Sequence, residues 1–320
     1  MSLGSGVTQP VVRQLGDFVE SAESNPELLA LAVGTVVVVV AIGYFAAQFY
    51  RQSPGERLVH ALAKVDEVVV LTHPNPDPDA MASALAVGRI ADRADTDAVI
   101  RYPGEVRHEE NRAMKTVLEL EMEHLPADEG LAGERVVLVD HNEPRGFAGA
   151  GGLTPYAVVD HHPGEGEGTA FTDVRPEYGA CSAIATEYLC DLGWRTDGGE
   201  GRHVPEDLAT ALLYGIQSDT TNFSRGCTGA DFDAAAFLFP AASPEALDRI
   251  ANPPVGADAL DVKARAATNR QKDGPFVCSF VGPVSNVDAL GQAADELLRL
   301  EGVTAVVVGG EADGTLHLSG

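Results

Sequence analysis

Apolar positions fall into three kinds of run along the chain. The first is continuous: residues 28–50 (LLALAVGTVVVVVAIGYFAAQFY) carry no charged side chain and reach the ~20 residues that one bilayer-crossing helix needs. The second kind is short and rich in β-branched residues, at 67–71, 98–102, 135–139 and 156–159. These runs are apolar on both faces, as the buried strands of a parallel sheet are. The third kind has helical spacing and much alanine, at 79–94, 181–192, 205–216 and 230–239, with Leu192-Gly193 as a stop signal. Short strands alternating with helical stretches predict an α/β fold, a parallel sheet with helices on both faces.

From about residue 243 the pattern changes. A helical region to 267, a strand at 276–281, a helix at 287–300 and strands at 304–308 and 315–319 predict a second, smaller α/β domain. Because Gly320 follows a strand directly, that domain is expected to be partial. The organisation read from the chain is a short extracytoplasmic N-terminal segment (1–27), a transmembrane helix (28–50), a larger α/β domain (51–242) and the smaller one (243–320).

The flanks orient the apolar run. Glu20, Glu23 and Glu27 precede it, whereas Arg51, Arg57 and Lys64 follow, and Tyr44, Phe49 and Tyr50 sit near one end. The positive-inside rule then predicts a single-pass protein of the cell membrane, with the lipid bilayer as a partner and everything after Arg51 in the cytoplasm. A cleavable signal peptide would need a basic start and a shorter apolar core.

Charge narrows the partners. The chain has 48 acidic and 22 basic residues, a formal net charge of -26, so a polyanion-binding surface does not follow from its totals. The acids are scattered instead of forming a tail, which reads as adaptation to a salt-rich cytoplasm such as that of a halophilic archaeon. Cys181, Cys190, Cys227 and Cys278 form no C-x-x-C pair and read as reduced thiols.

The chemistry-bearing residues cluster after the predicted strands, where open α/β sheets place their ligand crevice. Thr72-His73-Pro74-Asn75-Pro76-Asp77-Pro78-Asp79 follows the first strand, Asp140-His141-Asn142-Glu143 the third and Asp160-His161-His162-Pro163 the fourth. Asp219 follows an apolar helix in Gly215-Ile216-Gln217-Ser218-Asp219-Thr220. Taken singly, an Asp after a strand reads as a helix cap and a His as a structural residue. Capping needs no histidines and no clustering at one sheet edge, so the set together points to metal binding. Carboxylates with imidazoles suit Mn²⁺, Mg²⁺, Co²⁺ or Fe²⁺, and two such cations ~4 Å apart can activate a shared water and clamp phosphoryl oxygens.

These motifs resemble those of the DHH phosphoesterase superfamily, in its RecJ-like and nanoRNase-like branch. The triplet Asp160-His161-His162 matches the family's signature; His73, Pro76, Asp77, Asp79, Ala80 and Ser83 match its first motif, Asp140 its second, and Gly215 to Thr220 a later G-I-x-x-D-T pattern. The resemblance implies that His73 and Asp77 hold one divalent cation and Asp79, His161 and Asp219 another, with Asp140 bridging, Mn²⁺ being favoured over Mg²⁺ or Co²⁺. It implies that His162 faces the substrate phosphate and that Asp160 orients the histidines. Gly179-Ala180-Cys181-Ser182-Ala183 resembles the family's turn opening a helix, whose amides seat an anion; N-capping by Ser182 is the alternative. Ser182 and Arg225 are assigned with His162 as substrate contacts.

Within the family the chain is similar to enzymes that hydrolyse small nucleotides: short oligonucleotides, cyclic dinucleotides or 3'-phosphoadenosine 5'-phosphate. Asp140-His141-Asn142-Glu143 also resembles the second motif of manganese-dependent inorganic pyrophosphatases. A membrane nucleotide sensor without catalysis is the reading from another class, and a homodimer is left open.

Overall fold

The computed structural model describes residues 26–320; the N-terminal segment expected at 1–27 lies outside the described residues except for its last two positions. The chain divides between Ser53 and Pro54. Among the described residues before the division lies one helix, α1 (Pro26–Arg51), whose described apolar side chains such as Val36, Val38 and Val40 are exposed. Among the described residues no helix is long and apolar enough to cross a membrane. This overturns the single-pass anchor expected over 28–50 and the localisation drawn from it. An apolar run is enough to make a helix. Crossing a bilayer asks more of a helix than that, and no helix among the described residues meets the requirement.

The unit from Pro54 opens with α2 (Pro54–Leu62), β1 (Glu67–Leu71), α3 (Pro78–Arg93), β2 (Asp97–Pro103), α4 (Glu109–Val117), β3 (Glu123–Leu125), β4 (Val136–Val139), β5 (Ala157–Asp160) and β6 (Phe171–Val174). Helices α5 (Cys181–Asp191), α6 (Glu206–Asp219) and α7 (Gly229–Leu238) follow. The six strands form one sheet in the order β3-β2-β1-β4-β5-β6, parallel throughout.

Side chains alternate across the central strands with the period of two that a pleat imposes. Val68, Val70, Val137, Val139, Ala157 and Val159 face the helical side, with Met81, Ile184, Leu189 and Leu212. Val69, Leu71, Leu138 and Val158 face the other side. Burying each such side chain contributes roughly 1.5–3 kcal/mol, so register slips are strongly disfavoured. The second face is closed by Leu131, Phe147 and Leu153 from connecting segments, not by the helical layer expected on both faces. The β4–β5 connection carries Pro144, Gly146, Gly149, Gly151, Gly152 and Pro155, and Gly and Pro are the poorest helix formers.

Helix α3 is the pivot of the fold. Asp77 caps it, accepting from the Ala80 amide at 3.0 Å, and Pro78 starts it with a preset φ. Its alanines 80, 82, 84 and 86 are fully buried, and small side chains let it lie close to α5 and α6.

The remainder is α8 (Pro244–Ala251), α9 (Ala257–Asn269), β7 (Gln271–Asp273), β8 (Phe276–Pro283), α10 (Asp288–Leu298), β9 (Ala305–Ala312) and β10 (Thr315–Ser319). Its four strands form a separate mixed sheet, β10-β9-β8-β7, with its own core of Val262, Ala266, Val277, Leu290 and Val308.

Candidate metal centre

β1 pairs with β2 on one side and β4 on the other, so the strand order reverses between β1 and β4. Ligand sites of open α/β sheets lie outside the carboxyl ends of the strands at such a reversal. The turn after β1 delivers His73, Asp77 and, at the start of α3, Asp79. Asp140 is the first residue after β4, Asp160 ends β5, and His161 and His162 follow it. Asp219 ends α6. Asp140 adopts φ +60°, a left-handed conformation that costs a non-glycine residue ~1–2 kcal/mol and clusters at functional sites.

The side chains meet around Asp140. His73 Nε2 stands 3.4 Å from Asp140 Oδ2 and 3.4 Å from Asp77 Oδ2. On the other side His161 Nε2 stands 3.3 Å from Asp140 Oδ1, 3.3 Å from Asp219 Oδ2 and 3.8 Å from Asp79 Oδ2. His162 Nδ1 is 3.7 Å from Asp140 Oδ1. Two groups suited to a cation result, His73–Asp77–Asp140 and Asp79–His161–Asp219, and a third, Asp140–His161–His162, overlaps both neighbourhoods.

A divalent cation fits this donor set. Both carboxylate oxygens of Asp140, and His161 Nε2, are buried without a hydrogen-bond partner, although buried polar groups are normally paired. The histidine nitrogens stand close enough to attract these oxygens but lack the geometry to satisfy them. In an octahedral shell with bonds of ~2.1 Å, neighbouring ligand atoms are ~3 Å apart, which is near the separations seen here. Oxygen-rich sets with imidazole suit Mn²⁺ or Mg²⁺ more than a thiophilic ion, and Cys181, beside Asp79, points its thiol at the Val159 carbonyl at 3.5 Å.

The backbone orients the ligands. His73 Nδ1 bonds the Pro74 carbonyl at 3.0 Å and His161 Nδ1 the Tyr178 carbonyl at 3.2 Å, which leaves each Nε2 directed at the acids. Asp79 is fully buried, and its two oxygens accept from the Cys181 and Ser182 amides at 2.7 Å each. That places a carboxylate at the N-terminus of α5, where amides and dipole favour it.

Without cations, protons carry the countercharge. Burial opposes the charge on His73 and His161, yet the contacts with Asp140, Asp77 and Asp219 outweigh it and push their pKa values up to about 10 and about 11. Asp140 is lowered to about 2, burial being overcome by His161 and His73. Asp79 and Asp219 are raised, by burial first and then by the neighbouring carboxylates. His141 is lowered to about 4, chiefly by burial.

Residues 67–216 match the DHH family, N-terminal domain. Among curated proteins, 271 residues are 35% identical to "Uncharacterized protein MJ1633" of Methanocaldococcus jannaschii, spanning 83% of this chain and 55% of that protein. "Cyclic-di-AMP phosphodiesterase PdeA" of Listeria monocytogenes is 28% identical over 269 residues, 74% of this chain and 39% of that protein. "Probable manganese-dependent inorganic pyrophosphatase" of Deinococcus radiodurans is 34% identical over 179 residues, 55% of this chain and 54% of that protein. The chain thus spans from 39% to 55% of the length of these relatives.

The remaining candidate residues take different places. Asp160 is a member of no cation group but holds two residues of the third: its Oδ1 accepts from the amides of His161 (2.8 Å) and His162 (3.1 Å) and pairs with His162 Nδ1 (2.9 Å). The hydrogen bond to Asp160 raises the pKa of His162, whose side chain is half exposed. Ser182 is fully buried, its amide is taken by Asp79, and Ala180, not Ser182, caps α5. The anion seated at that turn is therefore the protein's own Asp79, and Ser182 is closed to a substrate. Arg225 lies exposed in the loop after Asp219. Asn142, which sequence reasoning left without a role, donates to Asp160 Oδ2 at 2.7 Å and to the His162 carbonyl at 3.2 Å; its position next to Asp140-His141 was the available signal.

Proposed function

We propose that the chain is a metal-dependent phosphoesterase of the DHH type, a hydrolase that uses two divalent cations, Mn²⁺ foremost, on small nucleotides carrying a phosphodiester or phosphomonoester. The observation that carries this reading is the Asp140 carboxylate, buried and unpartnered on both oxygens, with one ligand group on each side of it. His73 and Asp77 would hold one cation, Asp79, His161 and Asp219 the other, and Asp140 both. Bound there, the cations supply charge neutralisation at phosphoryl oxygens and make a water more acidic.

The residues themselves do the rest. Asp160 fixes the orientation of His162 through Nδ1, and an imidazolium held this way can donate Nε2–H to a phosphoryl oxygen as charge develops there. Exposed Arg225 offers a second charged donor for phosphate. The similarity to the Listeria phosphodiesterase supports a nucleotide substrate. The runner-up is inorganic pyrophosphate, favoured by Asp140-His141-Asn142-Glu143 and the higher identity to the Deinococcus protein.

The test is hydrolysis by the purified chain with Mn²⁺ of cyclic di-AMP, pApA, 3'-phosphoadenosine 5'-phosphate and pyrophosphate, with Asp140→Ala as control. Cleavage of a nucleotide that disappears in the variant supports the proposal. Cleavage of pyrophosphate alone replaces it with the runner-up, and tight dinucleotide binding without turnover makes the domain a sensor.

A further inference from the structure

Asp231 lies in α7, outside the cation groups, and the motifs do not mark it. It is fully buried. Its carboxylate closes a capping box with Thr228, accepting from the Thr228 amide at 2.7 Å and hydroxyl at 2.9 Å. A cap of this kind needs no further partner, yet both oxygens also accept from the Gly179 amide, at 3.2 and 3.1 Å. This contact spans 52 residues of sequence, and it reaches the turn that precedes α5.

That turn holds two members of the Asp79–His161–Asp219 group directly and packs beside the third. The Tyr178 carbonyl accepts from His161 Nδ1. The Cys181 and Ser182 amides hold the two oxygens of Asp79. A side chain at Gly179 would lie 2.6 Å from Asp231 Oδ2, 2.9 Å from the Gly226 carbonyl and 3.0 Å from Thr220 Cγ2, so the turn also packs on the loop that leaves Asp219. In the His73–Asp77–Asp140 group the link is indirect: His73 is held by the Pro74 carbonyl and Asp77 by the Ala80 amide, and Asp140 meets the turn's ligands through His161 at 3.3 Å.

We propose that Asp231 is a positioning residue for one cation site and not the other: by anchoring Gly179 it sets the turn that aims His161 and Asp79 and supports Asp219. This rests on the two-cation reading. Asp231→Asn keeps the shape but converts one acceptor into a donor facing the Gly179 or Thr228 amide. Outer partners that fix a ligand's orientation typically change metal affinity by ~10–100-fold when lost.

The experiment is Mn²⁺ titration of the full chain by paramagnetic resonance, together with amide hydrogen exchange of the metal-free protein. In Asp231→Asn one of the two Mn²⁺ affinities should weaken by ~10–100-fold while the other stays within about twofold, and Gly179→Ala should reproduce this by displacing the same turn. Thr228→Val, which removes only the hydroxyl from the box, should keep both affinities. Equal weakening of both sites in Asp231→Asn would reduce Asp231 to a general support of the fold and overturn the inference; two unchanged affinities would do the same while leaving the two-cation reading intact. Should the unaltered chain bind no Mn²⁺, the two-cation reading fails by itself. Exchange still decides the anchoring: the Cys181 and Ser182 amides should exchange faster in Asp231→Asn, and unchanged protection overturns it.

Discussion

Asp140 gathers the consequences of the site into one side chain. A carboxylate buried in a protein interior normally resists ionisation, yet here it is held below the usual range because His73 and His161 face it from opposite sides. In the metal-free state the folded pKa values of these histidines, about 10 and about 11, lie above the unfolded value of 6.5. Their stabilising contribution is therefore complete below pH 6.5 and is lost as pH rises through 10 to 11. Asp140 works the other way, its contribution being present above pH 3.8 and lost as pH falls through about 2. Thermal melts of the metal-free protein should show the melting temperature falling between pH 7 and 10. Saturating Mn²⁺ should flatten that fall, since cations take the place of the protons, and Mn²⁺ affinity should rise with pH across 6–9 as bound protons are displaced. A pH-independent affinity would count against this site as the place of binding. Asp140→Asn, of nearly the same size, should weaken both cation sites by more than the ~10–100-fold typical of an outer partner. At this scale the Asp and His positions could be read from the sequence because they sit in the turns after apolar strand runs or, for Asp219, at the end of an apolar helix. The amide cradle of Asp79 could not, because backbone donors leave no trace in residue type, and so Ser182 was assigned to a substrate it cannot reach.

At the scale of elements, contacts between helices set how closely the ligands can gather. Gly215 in α6 faces α3 and α5: a Cβ there would lie 3.2 Å from Asp79 Cα and would meet the Ser182 hydroxyl. On an exposed helix, replacing Gly by Ala stabilises by ~1 kcal/mol. Here overpacking costing ~1–3 kcal/mol should outweigh that gain. Gly215→Ala is therefore expected to melt earlier than the unaltered chain and to weaken Mn²⁺ at the Asp79 group, as calorimetry and metal titration would show; a higher melting temperature would mean that α3, α5 and α6 are not so tightly packed. The elements legible in the sequence were those with a sustained apolar signal. The runs at 67–71 and 156–159 fall on β1 and β5, and the alanine-rich stretches at 79–94 and 181–192 fall on α3 and α5. β3, three residues of which two are exposed, and β6, with only Phe171 buried, present too little alternation to be seen. α2 and α4 are nine residues each, too short for their helical period to stand out from the loops around them.

At the scale of the molecule, a net charge of -26 acts on the folded state in a way that no single pair reveals. Repulsion among like charges favours expanded chains, and ion pairs at the surface, such as Arg112 with Asp288 at 3.2 Å, return at most about 1 kcal/mol each. Added salt shortens the Debye length from ~10 Å at 0.1 M to ~3 Å at 1 M, so screening should stabilise the fold. For a chain of this size about 1 kcal/mol corresponds to ~1–2 °C, and the melting temperature is expected to climb by at least that much between 0.1 and 1 M salt, to the same extent in NaCl and KCl. The Asp140 carboxylate should respond differently. It is buried, and buried pairs are screened far less than exposed ones, so Mn²⁺ affinity should change less steeply over that range than the fold's stability does. Melting curves and Mn²⁺ titrations measured side by side separate the two effects. A melting temperature that stays flat with salt would show that the acids are already offset within the fold. A steep loss of Mn²⁺ affinity would show that the cations are drawn mainly by the acidic exterior and not by the buried groups around Asp140.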